Sequence, residues 1–187
     1  MEITLLANKG GVGKSTLSIL LHEALKKVGK SVVLRDWDIQ GTSNKALGLI
    51  ASQEINPTDH YDIVIYDTPP NLEHSATIMA IKNTDLAFVV VSPSPADIWE
   101  AEKTVQFIRA QNEKALIRII FNKVHKGTML GRLIEESVKQ ISAPMLQTVL
   151  SYRQCYQHAL AKGWQALDSA AKEEVLGLAV SVVSIRN

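Results

Sequence analysis

The stretch "NKGGVGKST", residues 8–16, follows a short apolar run and precedes a segment with helical periodicity. Glycines followed by a lysine and a hydroxyl residue, between a strand and a helix, form the phosphate-binding pattern G-x-x-x-x-G-K-[ST]. Gly13, Lys14 and Ser15 fit the end of that pattern. Asn8 occupies the position of the first glycine, and asparagine tolerates left-handed backbone angles better than most residues. The stretch therefore predicts a phosphate cradle at the first strand–helix junction.

The residue types in this loop indicate how it would hold phosphate. Backbone N–H groups along the loop and the amino end of the following helix favour a negative charge. Lys14 would offset the charge of the β- and γ-phosphates, and the Ser15 hydroxyl would be a ligand of Mg²⁺. A glycine-rich turn without a ligand is the alternative, and the flanking patterns weigh against it. We predict nucleotide binding by Gly10, Gly11, Val12, Gly13, Lys14, Ser15 and Thr16.

A second lysine, Lys9, stands just ahead of the glycines. One phosphate cradle does not need it, because Lys14 already contacts the terminal phosphates. If two subunits faced each other across their nucleotides, Lys9 could reach the partner's phosphates and stabilise the transition state, as an arginine finger does in trans. Catalysis would then depend on dimerisation. A solvent-exposed lysine without a catalytic role is the alternative, and spacing alone does not exclude it.

Short apolar runs alternate with helical patterns along the chain of 187 residues. Strand patterns lie at residues 3–7, 31–35, 63–67, 86–91, 116–121 and 145–150, and helical patterns near residues 14–28, 71–82, 97–111, 129–141, 152–161 and 170–185. Strands of near-continuous valine, isoleucine and leucine are typical of a parallel sheet buried on both faces. We predict an α/β P-loop NTPase fold, a doubly wound, mostly parallel sheet with helices on both faces, as a single domain over residues 1–187. Residues 41–60 are predicted to form a short helix and a loop.

Composition and charge narrow the function classes. The single Cys155 excludes an internal disulfide framework and fits a reducing compartment. No window of about 18 apolar residues offers a membrane span, so we expect a cytoplasmic protein. Residues 1–99 contain 8 Lys/Arg and 11 Asp/Glu, whereas residues 100–187 contain 12 and 8. This asymmetry indicates a polyanion contact on the C-terminal half, although chance clustering explains it equally well.

Three motifs resemble the deviant Walker A ATPases of the ParA/MinD family. The sequence K-G-G-V-G-K-S-T, residues 9–16, resembles the family's Walker A box, whose first lysine is the signature residue. Residues 32–43, VVLRDWDIQGTS, resemble the strand that ends in D-x-D-P-Q-G, and residues 61–71, YDIVIYDTPPN, resemble the Walker B strand with its D-T-P-P loop. Residues 91–101 and 145–156 are similar to segments of the short ParF-type partition proteins. The resemblance runs in order along nearly the whole chain.

The resemblance implies a catalytic cycle and its partners. ATP and Mg²⁺ would be the cofactors, two subunits would form a homodimer around their nucleotides, and that dimer would bind DNA without sequence preference. A cargo-bound adaptor protein would then stimulate hydrolysis and release the dimer, which would be nucleoid-associated. The cargo would be a plasmid, a chromosome or a protein assembly. The implied catalytic residues are Lys9, Lys14 and Asp38, of which Asp38 positions the attacking water.

Polar residues at other strand ends fit the same chemistry. Asp67 ends an apolar strand, where a carboxylate can hold Mg²⁺ or its water. Asp36 and Asp38 alternate along an extended segment, so both project from one side, and the resemblance places Asp36 near the metal. The metal candidates are therefore Ser15, Asp36 and Asp67, although carboxylates that merely end a strand are the alternative. Asn122, after the fifth strand, could read the adenine edge with its amide or be an ordinary turn residue.

The chain departs from the family pattern in the second motif. Ile39 stands where proline is usual, and Arg35 and Trp37 stand where small or apolar residues are common. Trp37 is expected either to pack under the loop or to form an exposed partner contact. The stretch between Asp38 and Asp67 is short for the family, so an ordinary strand or helix is expected to be missing there. We expect no helix-turn-helix domain ahead of the phosphate loop, unlike in the longer partition ATPases.

The basic half of the chain supplies the candidate DNA contacts, each of which is alternatively a plain surface charge. They are Lys123, Lys126, Arg132, Lys139 and Arg153. A MinD-like ATPase that cycles on membranes would need a C-terminal amphipathic helix with a basic polar face. Residues 175–187 are broadly apolar with only Arg186 near the end, so we expect no stable membrane association. A small-molecule kinase or synthetase is a third possibility, against which Lys9 and the D-T-P-P loop argue.

Overall fold

Strands and helices alternate through the part of the chain that the computed structural model describes, residues 1–50, 60–125, 127, 134 and 138–185. The strands are β1 (Glu2–Leu6), β2 (Val32–Asp36), β3 (Ile63–Asp67), β4 (Leu86–Val91) and β5 (Leu116–Phe121). The helices are α1 (Lys14–Lys27), α2 (Thr42–Ile50), α3 (Ser75–Asn83), α4 (Pro95–Gln111), α5 (Gln154–Lys162) and α6 (Ser169–Ile185), with a 3₁₀ turn at Gly163–Ala166.

The five strands form one sheet in the order β2-β3-β1-β4-β5. Every pairing is parallel, so each connection must return to the starting edge, and a helix provides that return. The strands are rich in valine, isoleucine and leucine, and all six residues of β4 are buried. These observations confirm the predicted α/β fold with a parallel sheet.

Each face of the sheet buries its own apolar layer. In β4, Phe88 and Val90 point into a core that α1, α2, α5 and α6 cover. Ala87 and Val89, at alternate positions, point into a second core that α3 and α4 cover. Because side chains alternate across a strand, one apolar run supplies side chains to both cores. Each core is covered by helices, as predicted for a parallel sheet buried on both faces.

The predicted sixth strand at residues 145–150 is wrong. This segment runs beside β5 but pairs with it by one isolated bridge, Ile119 with Met145. A second isolated bridge joins Val124 and Ser151, which directly follow the two segments. The chain bends at Gln147, between the bridges, and Pro144 at the start of the segment has no N–H to donate to a ladder. The apolar run is therefore an irregular edge held by a few backbone hydrogen bonds rather than a sheet strand.

Helix boundaries differ from the sequence prediction where side chains cap them. α3 begins later than predicted because His74 caps it by accepting a hydrogen bond from the Ala76 N–H. α4 begins earlier, at Pro95, because Ser94 caps it and proline fits a first turn. α2 is the short helix predicted within residues 41–60. Residues 51–59 and most of the predicted helix at residues 129–141 lie outside the described residues.

The last helix, α6, belongs to the first core. It buries Ala171, Val175, Leu178, Ala179 and Val182 against the sheet side of the fold. Its apolar character is thus accounted for by packing inside the protein. Within the described residues, no helix has both the length and the hydrophobicity that crossing a membrane requires.

The turn from β1 into α1 depends on one glycine. Gly13 caps α1 with a φ of 95°, and a Cβ at this position would lie 2.4 Å from Nδ2 of Asn122. We predict that Gly13→Ala lowers the free energy of unfolding by about 2–4 kcal/mol, because strain and overlap add. Urea unfolding without nucleotide, followed by circular dichroism, measures this loss.

Gly10→Ala is the matched control, because a Cβ at Gly10 would meet no atom within 4 Å and its φ is not positive. Its free energy of unfolding should stay within about 1 kcal/mol of the wild type. Equal losses in the two variants would contradict the role given to Gly13.

Candidate functional site

The phosphate loop leaves β1 at the carboxyl edge of the sheet and leads directly into α1. Gly11 and Gly13 have φ values of 80° and 95°, which turn the backbone around an open space. A cavity of about 400 Å³ lies over the amino end of α1. Six predicted loop residues line it: Gly10, Gly11, Gly13, Lys14, Ser15 and Thr16. The seventh, Val12, turns its side chain into the core.

Lys14 lies at the bottom of this cavity. Its side chain is only 7% exposed, and this burial lowers the pKa of its ammonium. The carboxylates of Asp67 and Asp38 oppose that shift and favour the charged form. An ammonium held in place beside a helix amino end is suited to polyphosphate oxygens.

Asp67 is fully buried at the end of β3. Ser43 donates a hydrogen bond to its Oδ2, and the Ser15 hydroxyl lies near the carboxylate. Burial raises the pKa of Asp67, while the two serines and Lys14 act against that rise. Its Oδ1 is buried and has no hydrogen-bond partner among the described residues. A carboxylate oxygen left free beside a serine hydroxyl fits Mg²⁺, which prefers such oxygen ligands.

Asp36 and Asp38 have different surroundings. Asp36 pairs in register with Asp67, but its two oxygens accept hydrogen bonds from the N–H groups of Asp38 and Asn44, each at 3.0 Å. Asp38 lines the phosphate cavity, and its Oδ1 accepts from the Gln40 N–H at 3.0 Å. Each oxygen of Asp36 keeps a second lone pair, so the metal role of Asp36 stays a prediction. Through these bonds Asp36 holds the segment that carries Asp38.

Lys9 does not point at its own phosphate cavity. Its Nζ lies 2.7 Å from Oδ1 of Asp97 near the start of α4, and its side chain is 55% exposed. Asn8 likewise donates to Oε2 of Glu100 at 2.9 Å. Burial alone would raise the pKa of Asp97, but hydrogen bonds from Lys9, Ser92 and Ser94 hold it below its ordinary value. Lys9 and Lys14 thus point in different directions: Lys14 lines the phosphate cavity, whereas Lys9 pairs with Asp97.

The profile of the "CobQ/CobB/MinD/ParA nucleotide binding domain" family matches residues 3–165 of this chain. The chain belongs to this family. The resemblance noted in the three motifs is confirmed, and the cofactors of this family, ATP and Mg²⁺, are those that the loop and the Asp67 carboxylate fit. As a family member the protein is a P-loop ATPase.

Relatives cover nearly the whole chain. "Maintenance of carboxysome distribution protein A" of Halothiobacillus neapolitanus is 25% identical over 185 residues, covering 88% of this chain and 85% of that protein. The structure of the MinD cell division protein of Aquifex aeolicus superposes with a TM-score of 0.81 at 20% identity, covering 98% of this chain and 97% of that one. A plasmid partition protein of Borrelia burgdorferi B31 bound to AMPPNP gives 0.79 at 17% identity, covering 100% and 99%. These structural likenesses confirm the fold.

A second cavity of about 390 Å³ adjoins the phosphate cavity of this ATPase. Gly13, Thr16, Lys123 and Gln157 line both. The far wall of the second cavity is formed by residues 150–154 and the start of α5. Its volume and its position beside the phosphate cradle suit a nucleoside.

Asn122 supports the phosphate loop with its side-chain amide. Its Nδ2 donates to the Val12 carbonyl at 2.8 Å, and its Oδ1 accepts from the Lys123 N–H at 2.9 Å. The side chain is buried against Gly13. The amide therefore braces the loop. Asn122 also lines the second cavity, and its amide keeps a second N–H and a second oxygen lone pair, so the adenine-reading role stays a prediction.

Two of the predicted DNA-binding side chains, Lys123 and Arg153, make contacts within the protein. The Lys123 ammonium donates to the Gly11 carbonyl at 2.5 Å, at the edge of the cradle. Arg153 is ion-paired with Glu174 at 2.9 Å, and its side chain is 22% exposed. Lys139 is exposed in a turn. Lys126 and Arg132 lie outside the described residues.

Trp37 and Ile39 show how the departures from the motif are accommodated. The ring of Trp37 lies against Tyr66, with centroids 4.6 Å apart, which supports packing under the loop. Ile39 is 90% exposed beside Asp38. The departures therefore change the surface of the site and leave its carboxylates in place.

Ser43 is a site residue that the sequence analysis missed. It is fully buried at the start of α2, and it joins that helix to Asp67. The hydroxyl pair T-S directly after the D-x-D-x-Q-G motif was the available signal, because hydroxyl residues at a helix start often bind neighbouring polar groups. That signal did not indicate that Asp67 is the partner of the Ser43 hydroxyl.

We predict that Ser43→Ala lowers the free energy of unfolding by about 1–3 kcal/mol, because it removes a hydroxyl donor from a fully buried carboxylate. Urea unfolding without nucleotide measures the change. Ser18→Ala is the control, because the equally buried Ser18 hydroxyl donates only to the Lys14 carbonyl of its own helix. If both variants lose the same stability, the contact with Asp67 carries no special weight.

Proposed function

We propose that this protein is a positioning ATPase that works as an ATP-sandwich homodimer. With ATP bound, two copies face each other across their nucleotides, and the dimer binds DNA without sequence preference. A cargo-bound adaptor protein stimulates hydrolysis, and the subunits separate and leave the DNA. The protein is then cytoplasmic and nucleoid-associated while it holds ATP.

The direction of Lys9 is the observation that carries this proposal. Lys9 is not among the described residues that line the phosphate cavity, although it lies on the same loop. Its ammonium is held at the surface on Asp97 and is more than half exposed. A cation so placed is available to the phosphates of a second copy, where it would stabilise transition-state charge as a trans-acting finger does.

The remaining chemistry is supplied within one subunit. Lys14 binds the terminal phosphates. Ser15 and Asp67 would hold Mg²⁺, which would offset charge on the phosphate oxygens. Asp38, at the cavity wall, accepts a hydrogen bond from the water that attacks the γ-phosphorus. The bond from that phosphorus to the β-bridging oxygen breaks, and ADP and inorganic phosphate are the products. The nucleoside occupies the second cavity.

The cargo is the part of the function with two candidates. A plasmid or chromosome is one, since partition proteins share this fold. A protein assembly is the other, and it is favoured by the relative that matches 85% of its own length and is named for carboxysome distribution. Membrane cycling is less well supported, because α6 uses its apolar face in the core.

We predict that Lys9→Ala still binds ATP as a monomer but forms no ATP dimer, because the trans contact is lost. Hydrolysis should fall roughly a thousandfold or more, as for removal of a trans-acting finger. Light scattering with ATP and Mg²⁺ and a phosphate-release assay measure the two effects. Lys103→Ala is the control, an exposed lysine paired with Glu100 on α4. Wild-type hydrolysis by Lys9→Ala would rule out the trans role.

We predict that Asp38→Ala with ATP and Mg²⁺ accumulates as a dimer bound to DNA, since nucleotide binds but the water is not positioned. Fluorescence anisotropy should show that this dimer binds unrelated duplexes with similar affinity. Its two linked basic surfaces would bind DNA phosphates bivalently, and those contacts do not depend on sequence. Affinity should fall with salt at a log–log slope of about −0.9 per phosphate contacted.

Glu113→Ala is the control, because Glu113 is exposed and is not among the described residues that line the cavity; this variant should hydrolyse ATP like the wild type. With ADP in place of ATP, the wild type, Asp38→Ala and Glu113→Ala should all bind DNA only weakly. Equal DNA affinity with ADP and ATP, or a marked preference for one duplex, would contradict the proposed cycle.

A further inference from the structure

Glu174 on α6 collects hydrogen bonds from the segment that follows the irregular edge of the sheet. Its carboxylate accepts from the Ser151 N–H at 2.9 Å and from the Ser151 hydroxyl at 2.7 Å. It also accepts from the Arg153 guanidinium at 2.9 Å and from the Tyr156 hydroxyl at 2.8 Å. The Glu174 side chain is 11% exposed. One largely buried carboxylate therefore holds three residues of a single stretch.

The three residues held by Glu174 are all wall residues of the second cavity. Ser151, Arg153 and Tyr156 line it opposite Gly13 of the phosphate loop. Glu174 is not among the described residues that line this cavity, so it contacts the wall from behind. Its effect on a ligand in the cavity would be transmitted through these three side chains.

The wall needs such a contact because no strand ladder stabilises it. Between Met145 and Ser151 the chain makes only isolated bridges to its neighbour, and Tyr152 beyond them is exposed. Charge-assisted hydrogen bonds are about twice as strong as neutral ones. If the carboxylate were removed, the buried Tyr156 hydroxyl and the Ser151 N–H would lose their acceptor.

We propose that Glu174 is the positioning residue of the nucleoside subsite: it holds the wall that contacts the base and ribose and leaves the phosphate cradle to the loop. This rests on the proposed placement of the nucleoside in the second cavity. A purely structural Glu174 would act differently, since loss of a stabilising contact in the core would weaken nucleoside and phosphate binding together.

The test compares ADP with inorganic pyrophosphate, which has the two phosphates but no nucleoside. Calorimetric titration with Mg²⁺ gives both dissociation constants for the wild type, Glu174→Gln and Glu174→Ala. We expect ADP to bind about tenfold more weakly to Glu174→Gln and still more weakly to Glu174→Ala. Pyrophosphate should bind within about twofold of the wild type in both.

Two further variants complete the test. Glu173→Gln changes the adjacent exposed acid and should bind both ligands like the wild type. Tyr156→Phe removes the hydrogen bond from the Tyr156 hydroxyl to Glu174 while keeping the ring. The affinity for ADP should fall about threefold. Combined with Glu174→Gln, it should add little, because both changes break the same contact. Tyr156→Phe also decides the question if the Glu174 variants fail to fold.

The outcomes separate the inference from the proposed function. Unchanged ADP binding in Glu174→Gln and Tyr156→Phe, or an equal loss of ADP and pyrophosphate, would overturn the role of Glu174. A wild-type protein that binds pyrophosphate as tightly as ADP would show that the second cavity contributes nothing. That result would overturn the nucleoside placement, whereas monomeric behaviour with ATP would overturn the dimer and leave the Glu174 result standing.

Discussion

The parallel direction of all five strands is the constraint on which the rest of this molecule depends. It brings every strand's carboxyl end to one edge, where β1 lies between β3 and β4. The phosphate loop leaves β1 at that edge, next to Asp67 at the end of β3 and Asp36 in register beside it. Segments leaving β1 and β4 diverge toward opposite sides of the sheet, which opens the crevice where ligands bind in such folds.

Side chains, more than backbone ladders, hold the loops that surround this crevice. Asn122 ties the segment after β5 to the phosphate loop, Ser43 ties α2 to the Asp67 carboxylate, and Glu174 ties residues 151–156 to α6. Each contact satisfies a buried polar group that would otherwise cost free energy. The walls of the site therefore depend on hydrogen bonds between elements that are distant in sequence.

Lys9 connects the loop to α4 as well as to the proposed dimer. The ion pair of Lys9 with Asp97 and the hydrogen bond from Asn8 to Glu100 attach the start of the loop to the first turns of this helix. In the proposed dimer the partner's phosphates compete with Asp97 for the same ammonium.

Local patterns in the sequence determined the strands β3, β4 and β5 to the residue, because continuous apolar runs have one stable place in a parallel sheet. They also determined the phosphate loop, since glycine geometry, Lys14 and the helix start act within a few consecutive residues. Only the tertiary structure decided that Asp36 binds backbone, that Asn122 braces Val12 and that Arg153 pairs with Glu174. The same residue types would also suit ligands, DNA or turns, and which partner they meet depends on segments up to 110 positions away. Contacts over that separation follow from strand order and helix placement, which no local pattern encodes.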